Sequence, residues 1–228
     1  MLEEKTRVKN VPQVSSKLRH HILRVPSVVR NASGIVINGR RIKSLVFTTD
    51  IAIIRNCTAD AVLAVYPFTP QPTISSSVLR YSSLPVFCGV GGGTTQGIRT
   101  LQLAWDAETE GAMGVVGNAP IGNEDVERIA NYIDIPLVVT VVSEKTDIAA
   151  RLNAGASILN VSAAARTPEV VRAIRQDFPD VPIIATGGGQ EDSIRRTIEA
   201  GANAISYTPP TTKELFSTMM DDYRQREE

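Results

Sequence analysis

A unit of about fifty residues recurs along the chain. Each copy starts with a proline and four or five apolar residues, continues through a polar or glycine-rich turn into a helical pattern that ends in Gly-Ala, and closes with another apolar run. The copies begin at Pro85, Pro136 and Pro182, at intervals of 51 and 46 residues. Short apolar runs that alternate with helices are typical of a parallel sheet, because helices connect its strands.

The number of apolar runs decides between two parallel-sheet folds. The eight predicted strands are 44–49, 61–66, 85–90, 112–117, 136–142, 157–162, 182–187 and 203–207. Eight strand–helix units in about 185 residues are the number that closes a barrel, whereas an open doubly wound sheet needs fewer strands and a switch point. We therefore predict the α/β class and a (β/α)8 TIM barrel over residues 44–228.

Residues 1–43 are predicted to form a separate basic segment. They hold ten Lys and Arg residues against Glu3 and Glu4, although the whole chain has a net charge of zero. An amphipathic helix is predicted over 15–25, and a β-hairpin around Asn38-Gly39, a dipeptide that favours tight hairpin turns. The segment is either a cap that plugs the bottom of the barrel or a basic arm for a partner subunit or RNA. A basic arm on an acidic barrel favours a homo-oligomer.

Cysteine content and hydropathy bear on the location of the protein. Cys57 and Cys88 are the only cysteines, which is too few for a disulfide framework and suits a reducing compartment. No signal-peptide pattern is visible near residue 1. The longest uncharged run, 61–79, contains three prolines and is unsuited to a spanning helix. We therefore expect a cytoplasmic protein without membrane contact.

Two consecutive loops near the C-terminus indicate a phosphate site. Active sites of TIM barrels lie at the carboxyl ends of the strands, with phosphate bound after strands 7 and 8. Gly187, Gly188 and Gly189 form a turn that leads into one helix, and 208–212 lead into another, where Thr211 and Glu214 fit a capping box. Amides at helix N-termini attract anions. The predicted phosphate ligands are Gly187, Gly188, Gly189, Thr208, Thr211 and Thr212. The alternative is that the glycines only form a tight turn and Thr211 only caps its helix.

The segments "PIIATGGG" and "TIEAGANAISY" resemble the C-terminal quarter of the phosphate-binding aldolase-type barrels. That group includes indole-glycerol-phosphate synthase, thiazole synthase, acylmannosamine-phosphate epimerase, KDPG aldolase and the IMP dehydrogenase barrel. The similarity is good over 136–212 and holds only in outline over 44–135. The whole chain also resembles a small bacterial family usually labelled "hydrolase". The resemblance implies a phosphorylated substrate, with its phosphate on Gly188, Gly189 and the 208–212 loop.

Departures from those families narrow the chemistry. The predicted sixth strand carries no lysine for a Schiff base, no cysteine nucleophile follows it, and the predicted barrel contains no histidine. Proton transfer would then fall to carboxylates. Asp50, after the first strand, is a base, a ligand for Mg²⁺ or a helix N-cap. Glu144, after the fifth, is a general acid or base, or a solvated loop residue.

Further candidates follow other strands. Asn118 and Asn160 end the fourth and sixth strands, where an amide can hold a carbonyl or hydroxyl of a ligand or bond the backbone. Arg166 pairs with a second anion or lies on the surface. Cys88 is more consistent with a buried apolar residue than with a nucleophile, since no base or cation is near it in the sequence.

The stretch "FCGVGGGTTQG" lacks the spacing of dinucleotide and Walker A loops. We interpret Gly91, Gly92 and Gly93 as a wall of small residues beside the non-phosphate end of a substrate, with Thr94 as a polar contact.

Two hypotheses for the function of the chain follow. The first hypothesis is an enzyme that isomerises, epimerises, cleaves or hydrolyses a phosphorylated small metabolite, with Mg²⁺ as its only candidate cofactor. The second is a phosphometabolite-sensing regulator similar to the glycerol-3-phosphate-responsive antiterminator, although a sequence without interleaved aromatic residues argues against nucleic-acid binding.

Overall fold

The computed structural model describes residues 12, 14 and 22–227. Most of the predicted helix over 15–25 lies outside these residues. Its last four residues are not helical: Leu23 forms an isolated parallel bridge with Cys57, and the amide of Val25 donates to the hydroxyl of Thr58 at 3.0 Å. Backbone pairing with the barrel wall replaces the helix there.

The hairpin prediction is confirmed. Strand β1 (Ile35–Ile37) pairs antiparallel with β2 (Arg40–Ile42). Asn38 and Gly39 have φ angles of 48° and 77°, as a tight hairpin turn of this kind requires. The isoleucines of the hairpin are buried together with side chains from the barrel interior. The hairpin therefore packs against the lower end of the barrel.

The fold is a closed parallel barrel of eight strands, as the repeat predicts. The strands are β3 (Ser44–Phe47), β4 (Ala61–Ala64), β5 (Val86–Gly91), β6 (Gly114–Gly117), β7 (Leu137–Val141), β8 (Ile158–Val161), β9 (Ile183–Thr186) and β10 (Ala204–Tyr207). Strand β10 closes the barrel by pairing with β3, Ile205 opposite Ser44. All eight predicted strands are present, most of them shorter than predicted.

Helices follow the barrel strands. The α-helices are α1 (Ile51–Arg55), α2 (Pro72–Tyr81), α3 (Ile98–Thr109), α4 (Asn123–Ala130), α5 (Ile148–Asn153), α6 (Thr167–Asp177), α7 (Glu191–Glu199) and α8 (Thr212–Glu227). Two 3-10 helices cover Ser27–Asn31 and Ala164–Arg166. No helix among the described residues is long and apolar enough to cross a membrane.

The N-terminal 3-10 helix, Ser27–Asn31, packs on the outside of the barrel. Val28 and Val29 are buried in the outer apolar layer, and the helix contacts α7. Helix α8, by contrast, buries none of the side chains described for it. Even its large apolar residues are exposed: Phe216 by 62%, Met220 by 45% and Tyr223 by 47%. The chain thus covers part of its wall with residues before β3 and leaves an apolar face of α8 open.

The barrel interior changes character along its axis. Alternate residues of a strand point inward, and those deep in the barrel are apolar, including Leu45, Phe87, Val138 and Ile184. Two residues further along, Thr140 follows Val138 and Thr186 follows Ile184. The polar side chains of the interior therefore collect at the carboxyl ends of the strands.

Candidate functional site

A cavity of about 300 Å³ opens at the carboxyl ends of the strands, and we call it the mouth cavity. Its two sides differ. Strands β3 and β4 and the start of their loops contribute apolar side chains, and the strands from β6 to β10 contribute mainly amides and hydroxyls. The lining residues are Phe47, Leu63, Val65, Val116, Asn118, Thr140, Asn160, Ser162, Thr186, Ser206 and Thr208. No acidic or basic side chain is among them, so the mouth cavity is polar but uncharged.

Asn160 is the most informative side chain of the mouth cavity. It is 7% exposed, and its Nδ2 donates to the hydroxyl of Thr140 at 3.3 Å. Its Oδ1 is buried and has no hydrogen-bond partner. A buried oxygen without a partner costs about 1–3 kcal/mol, so such a group in a native protein calls for an explanation. Asn160 therefore brings an unpaired acceptor to the wall of the cavity.

Sequence analysis found Asn118, Asn160 and Thr208 and missed four other polar lining residues. These are Thr140, Ser162, Thr186 and Ser206. Each stands two positions after an inward-facing residue on its strand, so a period of two counted from the apolar interior residues would have found them. The last residue of each apolar run and the loop after it were predicted to carry the site, but the face of the strand decides which side chains reach the cavity.

The glycine loop, residues 91–97, lies beside the mouth cavity and lines a second space. Gly91 and Gly92 have φ angles of 112° and 111°. A Cβ on Gly92 would lie 2.8 Å from Ile121 and 2.9 Å from the carbonyl oxygen of Asn118. A Cβ on Gly93 would meet nothing within 4 Å. Two of the glycines thus permit close packing, and the third borders open space, next to the exposed side chain of Thr94.

The second space is a cavity of about 410 Å³ that we call the side compartment. It lies between the loop after β4 and the glycine loop, and it shares Asn118 with the mouth cavity. Its lining residues are Tyr66, Pro67, Phe68, Thr69, Pro70, Gly91, Gly93, Thr94, Thr95 and Asn118. The predicted substrate-binding residues Gly91, Gly93 and Thr94 are among them, whereas Gly92 is packed behind the loop.

The loop from β9 to α7 carries the three glycines predicted to bind phosphate. Gly187 is buried, its amide donates to the carbonyl of Ser206 at 3.2 Å, and a Cβ on it would lie 2.7 Å from Ile205. Gly188 has a φ angle of 75° and is exposed, as is Gly189. No side chain caps α7. Gly187 therefore forms the turn, and Gly188 and Gly189 lie exposed before a helix that no side chain caps.

Two carboxylates, those of Glu214 and Asp50, accept hydrogen bonds from the threonines at the start of α8. The amide and the hydroxyl of Thr211 donate to Glu214 at 2.7 and 2.8 Å, and the amide of Glu214 donates back to the Thr211 hydroxyl at 3.2 Å. These bonds hold the pKa of Glu214 below its ordinary value. The hydroxyl of Thr212 donates to the carboxylate of Asp50. The predicted capping box is present, and the side chains of Thr211 and Thr212 both bond acidic partners.

Asp50 caps the first helix of the barrel. Its Oδ1 accepts the amides of Ala52 at 2.8 Å and Ile53 at 3.2 Å, and its Oδ2 accepts the hydroxyl of Thr212. Of the three roles considered for Asp50, the N-cap is the one for which the structure supplies contacts. Asp50 is not part of the mouth cavity lining.

Glu144 and Arg166 bond each other instead of facing the mouth cavity. Their ion pair joins the loops after β7 and β8, with 37% of the Glu144 side chain and 64% of the Arg166 side chain exposed. The hydrogen bond from Arg166 holds the pKa of Glu144 below its ordinary value, which disfavours proton transfer near neutral pH. Glu144 lines a different groove, between α5 and α6. Neither residue therefore lines the mouth cavity with Asn118 and Asn160.

The two cysteines are free thiols in apolar surroundings. Burial is the main cause that raises the pKa of Cys88 to about 12, and the charge of Glu110 adds to it. A thiol with so high a pKa stays protonated at neutral pH and is a poor nucleophile. Cys88 lies in the outer apolar layer of the barrel wall, in agreement with its interpretation as a small buried residue.

Comparison with known proteins identifies the fold of the chain through solved structures alone. No protein-family model and no curated protein matches the sequence. Among solved structures, phosphonopyruvate hydrolase with oxalate and Mg²⁺ matches with a TM-score of 0.62 and 10% identity, over 81% of this chain and 82% of that one. Phosphoenolpyruvate phosphomutase from Streptomyces platensis subsp. rosaceus matches with a TM-score of 0.60 and 11% identity, over 81% of each chain.

A third match comes from another group of barrels. Dihydrodipicolinate synthase from Agrobacterium tumefaciens str. C58 has a TM-score of 0.56 and 13% identity, over 80% of this chain and 72% of that one. At identities this low the likeness speaks for the fold alone. The chain has the aldolase-type (β/α)8 barrel fold, in agreement with the resemblance in its C-terminal quarter.

Proposed function

We propose that the chain is an enzyme that binds a phosphorylated small metabolite at the mouth cavity and isomerises, epimerises, cleaves or hydrolyses it. The observation that carries the proposal is the buried Oδ1 of Asn160, which has no partner and belongs to a residue that lines the cavity at the usual active-site end of a TIM barrel. A ligand hydroxyl or N–H would supply the missing donor. The uncharged hydroxyls around it suit the polar body of a small metabolite.

The phosphate would lie on the loop from β9 to α7. Gly188 and Gly189 are exposed there, and α7 has no side-chain cap, so its first amides can donate to an anion. Thr208 is at the edge of the mouth cavity, between this loop and the ligand body. Asp192 pairs with Arg196 at 3.1 Å along α7, which offsets its repulsion of a phosphate. We assign Gly187, Thr211 and Thr212 to holding the loops in place.

Proton transfer is the step for which the mouth cavity itself supplies no titratable group. Asn118 and Asn160 would orient the substrate and polarise its carbonyl or hydroxyl. Of the two predicted carboxylates, Asp50 bonds the start of α8 and could take part only by releasing the hydroxyl of Thr212. Glu144 is paired with Arg166 and takes no part in the proposed reaction.

A Mg²⁺ ion does not fit the residues of this site. Mg²⁺ is usually bound through carboxylates together with water or substrate phosphate. The mouth cavity is lined by neutral oxygens, and among residues 12, 14 and 22–227 no group of three or more His, Cys, Asp or Glu side chains could hold a metal ion. The matched phosphonopyruvate hydrolase was solved with Mg²⁺, but the proposed reaction here has no metal-dependent step.

The names of the matched proteins support the enzyme over the regulator. Phosphonopyruvate hydrolase, phosphoenolpyruvate phosphomutase and 2,3-dimethylmalate lyase are enzymes of small acids, two of which contain phosphorus. The hairpin half of the basic segment packs its isoleucines against the barrel interior, which is the role of a cap. No described residue gives the regulator a comparable argument.

The apolar face of α8 supports self-association. Phe216, Met220 and Tyr223 follow the spacing of residues on one side of a helix and are exposed. Residues before β3 cover part of the barrel wall, so α8 is not needed to complete it. We propose that this face packs against a second copy of the chain, because a symmetric contact buries the same residues on both copies.

A thermal-shift screen of phosphorylated metabolites tests the proposed function. A ligand present at 100 times its Kd should stabilise the protein by about 2.7 kcal/mol. Wild-type protein should respond to at least one compound, and Asn160→Leu should lose that response. Identical responses of the two proteins to every compound would place binding elsewhere, and turnover of a hit then identifies the reaction.

A further inference from the structure

The side compartment lies outside the space that the proposed phosphate and the polar body of the ligand occupy. At about 410 Å³ it is larger than the mouth cavity, and the two spaces meet at Asn118. A ligand that filled only the mouth cavity would leave it empty. Pockets that bind small molecules usually enclose most of the ligand in about 300–1,000 Å³, so the two spaces together suit a ligand with two parts.

The loop after β4 forms one wall of the compartment, and most of its lining side chains there contain a ring. Tyr66, Pro67, Phe68 and Pro70 all line it. The hydroxyl of Tyr66 accepts the amide of Gln71 at 2.8 Å, so its polar end is satisfied and its ring position is fixed. Phe68 is 74% exposed. An exposed aromatic ring on the wall of a cavity gains free energy when a ligand covers it.

The glycine loop forms the facing wall, and its backbone is held rigidly. The backbone amide of Gly92 donates to the backbone carbonyl of Thr95 at 2.9 Å, and the backbone amide of Asn118 donates to the backbone carbonyl of Gly91 at 2.7 Å. Gly93 has an ordinary φ angle and open space where a Cβ would stand. Because Gly93 lines the compartment, a larger side chain at this position should narrow it without a clash at the Cβ.

The chemistry of the two walls defines what fits between them. No lining residue has a charged side chain, and the polar side-chain groups are the hydroxyls of Tyr66 and of the threonines and the side-chain amide of Asn118. Flat apolar surfaces pack favourably against aromatic rings, in stacked or edge-to-face arrangements. An anionic group would lose its hydration there without gaining a cation.

We propose that the side compartment binds an uncharged planar ring of the same ligand whose polar body occupies the mouth cavity, with Asn118 between the two parts. The ring packs on Phe68 and Tyr66, opposite Gly93. The claim that this ligand carries a phosphate rests on the proposed function. The claim that the side compartment binds a ring rests only on the residues that line it.

Two probes separate the two claims. Methyl phosphate carries the anion without a ring, and 4-fluorobenzyl alcohol carries a ring without phosphate. We would measure the Kd of methyl phosphate by calorimetry and follow the alcohol by ¹⁹F NMR, using the full chain. Gly93→Val narrows the compartment, and Gly122→Val is the matched control, because a Cβ on Gly122 also meets nothing within 4 Å and Gly122 lies on another loop.

The expected result is a ¹⁹F response of the alcohol that rises to saturation, from burial of one ring face. Gly93→Val should abolish this response and leave the Kd of methyl phosphate unchanged, and Gly122→Val should leave both unchanged. If methyl phosphate does not bind but the alcohol binds and Gly93→Val removes it, the phosphate site is wrong and the ring site stands. A ¹⁹F response that Gly93→Val leaves unchanged, or none in the wild type, overturns the ring site.

Discussion

The carboxylate of Asp50 accepts the hydroxyl of Thr212 across the seam where the barrel closes. Asp50 follows β3, the first barrel strand, and Thr212 begins α8, which follows the last strand. The same carboxylate caps α1 by accepting two of its amides. One side chain therefore joins the first and last strand–helix units at the face that contains the mouth cavity.

Removal of this carboxylate should cost more than removal of an ordinary cap. Asp147, which accepts the amide of Ala150 at 2.9 Å at the start of α5, is the control. Asp147→Ala should lower the free energy of unfolding by about 1 kcal/mol, and Asp50→Ala by about 2 kcal/mol, because two further hydrogen bonds are lost, those from the amide of Ile53 and the hydroxyl of Thr212. Urea denaturation measures both. Equal losses would mean that these two bonds contribute nothing to stability.

Asp50→Asn separates stability from catalysis. An asparagine caps a helix about as well as an aspartate, so this variant should keep most of the stability of the wild type. If Asp50 transfers protons, turnover of a substrate found by screening should fall at least a hundredfold. Unchanged turnover would leave Asp50 with the structural role alone.

Asn160→Leu should weaken ligand binding without weakening the fold. The substitution removes a buried oxygen that has no partner, at the cost of the 3.3 Å bond to Thr140. We expect the free energy of unfolding of the ligand-free protein to stay the same or rise by about 1 kcal/mol. Chemical denaturation with and without ligand measures both effects.

Asn203 provides the matched asparagine. Its Oδ1 accepts the amide of Ile183 at 2.9 Å, and its Nδ2 donates to the hydroxyl of Ser33 at 3.0 Å. Asn203→Leu should therefore destabilise the protein by about 2 kcal/mol. A similar loss in Asn160→Leu would show that Asn160 serves the fold and would remove the argument for a ligand.

The thiol of Cys88 should make the fold less stable in alkali. Its pKa is about 12 in the folded protein because it is buried, and its ordinary value is 9.0. The folded state keeps the proton that the unfolded state loses, so this contribution to stability is full below pH 9 and falls as the pH rises toward 12. Cys88→Ala should flatten that decline between pH 9 and 11, as measured by urea denaturation. The decline would have another origin if Cys88→Ala and wild type showed equal slopes.

The exposed face of α8 predicts a concentration-dependent dimer. Phe216→Glu places a charge among Met220 and Tyr223 and should shift the protein toward the monomer. Light scattering after size exclusion measures the mass. Gln225→Glu, which adds the same charge on the opposite, exposed side of the same helix, is the control. A wild-type monomer at every concentration would contradict the proposed contact.

The barrel could be predicted from sequence because its cause is local and repeated. Each proline-led apolar run forms one strand, and the Asn38-Gly39 turn fixes the hairpin by itself. The Thr211–Glu214 capping box could be predicted for the same reason, since its partners are three residues apart. The predicted helix over 15–25 fails at 22–25, where a distant strand connection supplies backbone partners.

The candidate site was harder to predict because its contacts join distant loops. Sequence alone does not indicate that Arg166 would bond Glu144, or that Thr212 would bond Asp50. Both pairings use residues that looked available to a ligand. The side compartment likewise depends on how the loop after β4 lies against the glycine loop, which is a property of the assembled barrel.

A crystal structure with a bound phosphorylated hit tests the central claim most directly. The account predicts phosphate oxygens on the amides of Gly188 and Gly189 at the start of α7, and a hydroxyl or N–H of the ligand on Oδ1 of Asn160. A ligand held at the groove that Glu144 lines, or a mouth cavity in which Asn160 makes no contact with the ligand, would contradict it.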